Sequence, residues 1–359
     1  MRALIPALLA LAAVHTAVAS GPLPSPPPFA EVLTGEGTRN TPATGSRFAG
    51  RERVPSSVAT SGHGGGSGRR PSSSATPRFF FAGNGHLTLH HAHFNTTLNV
   101  RYRLADGSYD GAALAQIRHF FRSREDGRER DISLRLVELL AYIEEHFHPR
   151  QMTLLSGYRS PDFNNDLRAA GGAVALASLH TEAMAADIHF AGIDMARLWR
   201  QLRQLGTGGA GYYRSGHFLH IDTGKPRFWE ETTSRVGENL AAGNARIFLR
   251  TDFDRYARLD GAVLSLHSLT ALPLLIAPQA HLVGPDGGSG LAIEPVDDAI
   301  ERRDGCLAIT AAAEAYRFRV ASAAPPPSAA RARVVLHTCE PRVEKTPPDI
   351  ESNPIEVGG

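Results

Sequence analysis

Helical and strand periods are interleaved through the middle of the chain and give way to strand periods alone towards its end. This predicts an α+β unit followed by a separate all-β unit. Three observations carry the prediction. Residues 111–123 and 131–147 repeat apolar side chains every three or four positions, as amphipathic helices do. The runs at 86–103, 152–155, 184–190 and 217–222 alternate or are short and apolar, as strands are, and they follow the helices without βαβ regularity. From about residue 245 the segments 246–251, 261–269, 272–277, 315–321 and 332–338 are short, alternating or β-branched, and are separated by Gly, Pro and Asp turns.

The elements follow in order. Residues 1–19 place one Arg before an apolar run that Pro6 interrupts and Ala17-Val18-Ala19 closes. Small residues three and one before the cut predict a signal peptide cleaved before Ser20. An uncleaved anchor is the competing reading. No other apolar run approaches the ~18 residues of a membrane span, so none is expected after signal removal. Residues 20–77 are rich in Pro, Ser, Gly, Thr and Ala, too poor in apolar surface to offset their ordering entropy, and read as a disordered linker. The first folded unit is bounded at 78–235. It opens on a hairpin at 86–103, whose His86, His90, His91 and His93 have no accompanying carboxylate and read as ordinary strand histidines. The two helices follow, with Asp131 as a plausible N-cap. A strand at 152–155 ends in Ser156-Gly157-Tyr158-Arg159-Ser160-Pro161, a turn into a polar helix at 162–170, where Asp162 and Asp166 read as a cap and a solvated face. Strand 184–190, helix 194–206 and strand 217–222 complete the unit. Trp199 and Trp229 read as core, and one of Tyr212 and Tyr213 as cleft-lining. The all-β unit is bounded at 245–340, a sandwich by its strand spacing, and 341–359 reads as a disordered tail.

Composition narrows the function classes. Among 359 residues, 38 Lys+Arg stand against 36 Asp+Glu, a formal net charge of +2, which gives no concentrated basic face for nucleic acid. Two cysteines exclude a disulfide scaffold and a Cys-rich zinc finger. Export places Cys306 and Cys339 in an oxidising compartment, where they are expected to pair. Oligomeric state is not legible.

The chemistry concentrates in 156–222. His180 and Asp187 are seven residues apart, with His220 beyond them. Two His and one carboxylate with a fourth position open is a common ligand set for catalytic zinc. An extended chain would separate His180 from Asp187 by ~23 Å, so the chain must fold back between them. Chance occurrence of a surface His and Asp is the plain alternative.

Ser178-Leu179-His180-Thr181-Glu182-Ala183-Met184-Ala185-Ala186-Asp187 resembles the S-x-H-x-x-G-x-A-x-D signature of zinc D,D-carboxypeptidases and D-Ala-D-Ala dipeptidases. Ser156-Gly157-Tyr158-Arg159-Ser160 resembles that family's S-G-[YF]-R-[ST] turn, and His220-Ile221-Asp222-Thr223-Gly224 the H-[LIV]-D-x-G of its YcbK-like branch. The resemblance covers residues 85–230. It implies a zinc peptidase domain with a small mixed or antiparallel sheet and flanking helices, acting on murein stem peptides or cross-links in the cell envelope or periplasm. Zn2+ would be held by His180, Asp187 and His220. Arg159 would bind a substrate carboxylate or support the oxyanion, and Ser178 and Tyr158 would line the substrate site. Two departures stand out. Ala183 replaces the signature Gly, which suits an L-residue only if φ there is negative. His217 replaces the carboxylate base of dipeptidase-type members. We expect His217 as the base and Asp222 as its support at His220. A catalytically inactive, zinc-containing wall-binding protein is the alternative reading, and a structural module built on the β unit is a third.

Overall fold

The computed structural model describes residues 77–358 apart from 171–174, 176, 236–237, 286 and 324–330. The expected signal peptide and nearly all of the expected linker lie outside the described residues.

The α+β class is observed. The first unit is built on a seven-stranded mixed sheet: β1 (His86–His91), β2 (Thr96–Arg101), β3 (Gln151–Ser156), β4 (Ala185–Ala191), β5 (Gly209–Tyr213), β6 (Phe218–Asp222) and β7 (Arg227–Glu230). Their spatial order is β2-β1-β3-β4-β6-β5-β7. The β1–β3 and β5–β7 pairs are parallel and the rest antiparallel. Helix α1 (Gly111–Phe120) starts where the Asp110 side chain accepts from the Ala112 and Ala113 amides. Helix α2 (Leu134–Phe147) starts after Ser133, not at Asp131, with no side-chain cap bond, and buries Leu136, Leu140, Ile143 and Phe147 against the sheet core. Helix α3 (Pro161–Ala169) matches the polar helix. Helix α4 (Met195–Leu205) runs from an Asp194 cap to Gly206, whose φ of 64° only glycine takes without strain.

The strands β5 and β7 were not legible as strands. The reason is β5's composition: a Cβ on Gly209 would stand 2.2 Å from the Asp222 carboxylate, and one on Gly211 would stand 2.4 Å from the Trp229 ring. Close approach selects glycine there, and glycine erases the alternating pattern.

The second unit forms one hydrogen-bonded eleven-stranded sheet beginning at Phe248–Thr251. The 341–359 tail departs from expectation. Strands Asp349–Glu351 and Ile355–Val357 pair with Arg331–Thr338, and Ile350, Ile355 and Val357 are buried. The segment's prolines and charges mask three apolar residues that add to an existing sheet edge. Cys306 and Cys339 form the expected disulfide.

The two units are bonded together. Arg135 pairs with Asp254 and donates to the Thr251 carbonyl at 3.0 Å. Glu182 accepts from His267 Nδ1 at 2.5 Å and from the Ser268 amide at 2.9 Å. Leu179, Met184, Ala185 and Phe248 close an apolar cluster across the seam.

Candidate metal centre and substrate cleft

The site sits where β3, β4 and β6 end together. After Ser156 the chain turns at Gly157, where a Cβ would lie 2.7 Å from the Phe121 carbonyl oxygen, so glycine is required. The Gly157 carbonyl accepts from His180 Nδ1 at 2.7 Å. The fold-back expected between His180 and Asp187 is a tight loop, with the Thr181 amide bonding to the Ser178 carbonyl and the Ala183 amide to that of His180. Ala183 has a φ of 54°, so the condition of a negative φ is not met. The signature's glycine answers a real backbone demand, and Ala183 meets it at ~1–2 kcal/mol of strain. Asp187 on β4 lies directly across from His220 on β6.

Three atoms converge: His180 Nε2 is 3.3 Å from Asp187 Oδ1, His220 Nδ1 is 3.0 Å from the same oxygen, and the two imidazole nitrogens are 3.2 Å apart. The tautomers follow from the far sides of the rings. A carbonyl only accepts, so His180 Nδ1 carries a proton and Nε2 presents a lone pair. His220 Nε2 lies 2.9 Å from Asp222 Oδ2 and donates to it, so Nδ1 presents a lone pair too. Three converging acceptors suit a cation between them. A tetrahedral zinc with bonds of ~2.0–2.1 Å sets its ligands ~3.3 Å apart. The donor set and its edges therefore fit zinc.

The surroundings tune this set. Burial, with help from Arg159, holds His180 below the usual imidazole range. Burial opposes charge on His220, but the carboxylates of Asp187 and Asp222 outweigh it and raise its pKa. Burial likewise opposes ionisation of Asp187, yet His180, His220 and Arg159 hold its carboxyl well below the usual range. Asp187 divides its oxygens: Oδ1 faces the histidines, and Oδ2 accepts from Arg159 Nη2 at 2.6 Å. Asp222 is fully buried, accepting from the Gly209 and Gly224 amides and twice from Arg227 besides His220. It fixes the His220 ring, the arrangement that orients metal-bound imidazoles.

A cleft of about 640 Å3 opens on this centre, lined by Ser156, Arg159, Ser178 and the three converging residues among others. Two expected site residues stand elsewhere. Tyr158 packs into the hydrophobic core, its amide bonded to the Phe121 carbonyl, and does not line the cleft. His217 is exposed, outside the cleft lining, in the turn before β6. Its φ of 51° and the bond from His189 Nδ1 to its carbonyl set that turn. The imidazole expected as the base therefore stands apart from the three converging residues, since β6 begins only at Phe218. Trp199 is core as expected, donating to the Ala210 carbonyl. Trp229 is not core: it lines the cleft, its ring 5.3 Å from that of His220 and its Nε1 3.1 Å from the Tyr213 hydroxyl. Tyr213 is the tyrosine of the pair that lines the cleft.

Residues 81–229 match the family model described as peptidoglycan L,D-endopeptidase MepK. The peptidoglycan L,D-endopeptidase MepK of Escherichia coli strain K12 is 37% identical over 145 residues, 40% of this chain and 79% of the relative. The chain belongs to this family. The MepK of Shigella flexneri aligns with the same identity and coverage. The probable peptidoglycan L,D-endopeptidase MepK of Haemophilus influenzae is 27% identical over 146 residues, 40% of this chain and 78% of that protein. No solved structure matches. The match holds His180, Asp187, His220, Arg159 and Trp229, and stops before Thr233, Glu238, Leu240 and Arg246, which nonetheless line the cleft. The sequence gives a signal for that second wall only in its position, between the two folded units.

Proposed function

We propose that this family member is an exported, zinc-dependent endopeptidase that hydrolyses peptide bonds in the stem peptides or cross-links of murein. The observation that carries the reading is the triangle of His180 Nε2, Asp187 Oδ1 and His220 Nδ1, with edges of 3.0–3.3 Å and lone pairs facing inward. Zinc bound there supplies Lewis-acid activation of water and of the scissile carbonyl. The chain's own groups do the remaining work. Gly157 and Asp222 fix the two imidazoles in the ligating tautomer. Arg159, held at Nε by Ser156 and at Nη2 by Asp187, keeps the Asp187 carboxylate turned and charged, with Nη1 left to steady charge developing on a carbonyl oxygen. Trp229 and Tyr213 give the peptide an aromatic wall, and the 640 Å3 cleft holds several residues of it. The relatives' names support an endopeptidase over a carboxypeptidase. Export rests on the N-terminal sequence and on a substrate that lies outside the cytoplasm. Among the described residues no helix is long and apolar enough to cross a membrane.

One observation favours the second reading, a zinc-containing wall binder that cuts nothing: His217, at the family's base position, stands outside the cleft. Mass spectrometry of purified murein after incubation with zinc-loaded protein separates the two. New peptide termini, absent with His180→Ala, are expected; intact murein that retains bound protein would support the binder.

A further inference from the structure

The cleft carries more positive charge than its centre uses. Five arginines line it, Arg124, Arg159, Arg227, Arg235 and Arg246, against two carboxylates, Asp187 and Glu238. Four of the five are paired: Arg124 with Glu125 at 3.3 Å, Arg159 with Asp187 at 2.6 Å, Arg227 with Asp222 at 2.7 Å, and Arg235 with Glu238. Arg246 has no such partner among the described residues. It shares the cleft lining with Arg227 and Arg235 and is itself exposed to solvent. Arg159, the residue that the motif resemblance assigns to carboxylate recognition, is largely engaged by Asp187 and Ser156. Arg246 is also chemically suited to the task, because a guanidinium presents paired donors that match a carboxylate. Finally, it lies beyond residue 229, on the wall that the family-matched segment does not supply.

We propose that Arg246 is a specificity-determining residue that binds a free carboxylate of the peptide substrate from the wall formed after β7. The proposal rests on reading the cleft as a peptide site, and it adds that the preferred peptide is acidic. The arriving carboxylate gives Arg246 the partner it lacks, so affinity and selectivity come from one contact. The substrate of this chain is thereby distinguished from an amidated peptide of the same sequence, whose neutral carboxamide offers no such partner.

The test compares a cross-linked stem-peptide dimer with free carboxylates and the same dimer with those groups amidated. Each is also made as a non-cleavable analogue with the scissile amide reduced. Zinc-loaded wild type, Arg246→Gln and Arg246→Lys are assayed for kcat and KM on the dimers and by calorimetric titration on the analogues. Wild type is expected to prefer the free acid by ~10-fold, the size of one charge-assisted hydrogen bond at a partly open site. The preference should appear in KM, vanish in Arg246→Gln and be partly kept in Arg246→Lys. Arg246→Gln retaining the full wild-type preference, or wild type showing none, would overturn the proposal. Wild type cleaving neither dimer would instead count against the peptidase reading, while the titration of the analogues still decides the role of Arg246.

Discussion

At the residue scale, Asp222 shows how one buried carboxylate can order a neighbouring ring from behind. It is buried, accepts five hydrogen bonds and turns His220 Nδ1 towards His180 and Asp187. Burial would raise its pKa, but Arg227 and His220 outweigh this and keep it ionised. Asp222→Asn is expected to weaken zinc binding by ~10–100-fold, the usual effect of losing a partner behind a ligand. Chelator competition measures it; unchanged zinc affinity would show that the ring needs no such support. His91 gives a pH-dependent prediction. Its Nδ1 accepts from the His93 and Phe94 amides at 3.2 and 3.4 Å, so the folded state holds it neutral. Burial, then Arg122, bring its pKa to about 4. The unfolded value is ~6.5, so the unfolded chain binds the proton more readily. The contribution of His91 is complete above ~6.5 and lost as pH falls towards 4, on the order of 2 kcal/mol in all. Urea unfolding from pH 7 to 4 should show a slope that His91→Asn flattens; parallel curves would refute it. Motif spacing picked out His180, Asp187 and His220, which the structure brings together, and Asp222 behind them. It misplaced His217 because spacing counts residues and does not register that a strand begins at Phe218, one residue too late to aim position 217 inward.

At the scale of elements, the site depends on register. β4 and β6 set Asp187 against His220, and a bulge in the β3–β4 pairing sets Ser156 against Asp187. β5 was illegible because its glycines serve neighbours rather than a pattern. Gly211 makes room for Trp229, so Gly211→Ala pushes a Cβ into the indole at 2.4 Å. We expect a loss of about 1–3 kcal/mol, typical of overpacking, together with a shift in the tryptophan fluorescence maximum; an unmoved spectrum and unchanged melting would contradict that packing. Ala183 was legible as a departure from the signature, but the sign of its φ was not, since only the folded loop fixes it.

At the scale of the whole molecule, the β unit braces the loop that carries His180. Glu182, two residues from His180, is bonded to His267 and Ser268 of the second unit, and Arg135 reaches Asp254. Sequence periods suggest two units but cannot show this seam, because contacts between distant segments leave no local pattern. The tail was misread for the same reason: Ile350, Ile355 and Val357 gain meaning only beside the strand Arg331–Thr338. Arg135→Ala leaves Asp254 buried without its cation and is expected to cost about 3 kcal/mol, read by denaturant titration. Reduction of the Cys306–Cys339 bridge, which spans 33 residues, should cost ~3–4 kcal/mol in the chain-entropy model; equal stability of the oxidised and reduced proteins would refute it.

His180, Asp187 and His220 are proposed to hold one metal ion together. Zinc content per chain, measured by plasma mass spectrometry after dialysis against trace zinc, tests it most directly. About one zinc is expected in wild type and less than ~0.1 in each of His180→Ala, Asp187→Ala and His220→Ala, because a three-ligand site loses most of its affinity with any one ligand. Full zinc occupancy in any of the three folded variants, or none in wild type, would contradict it.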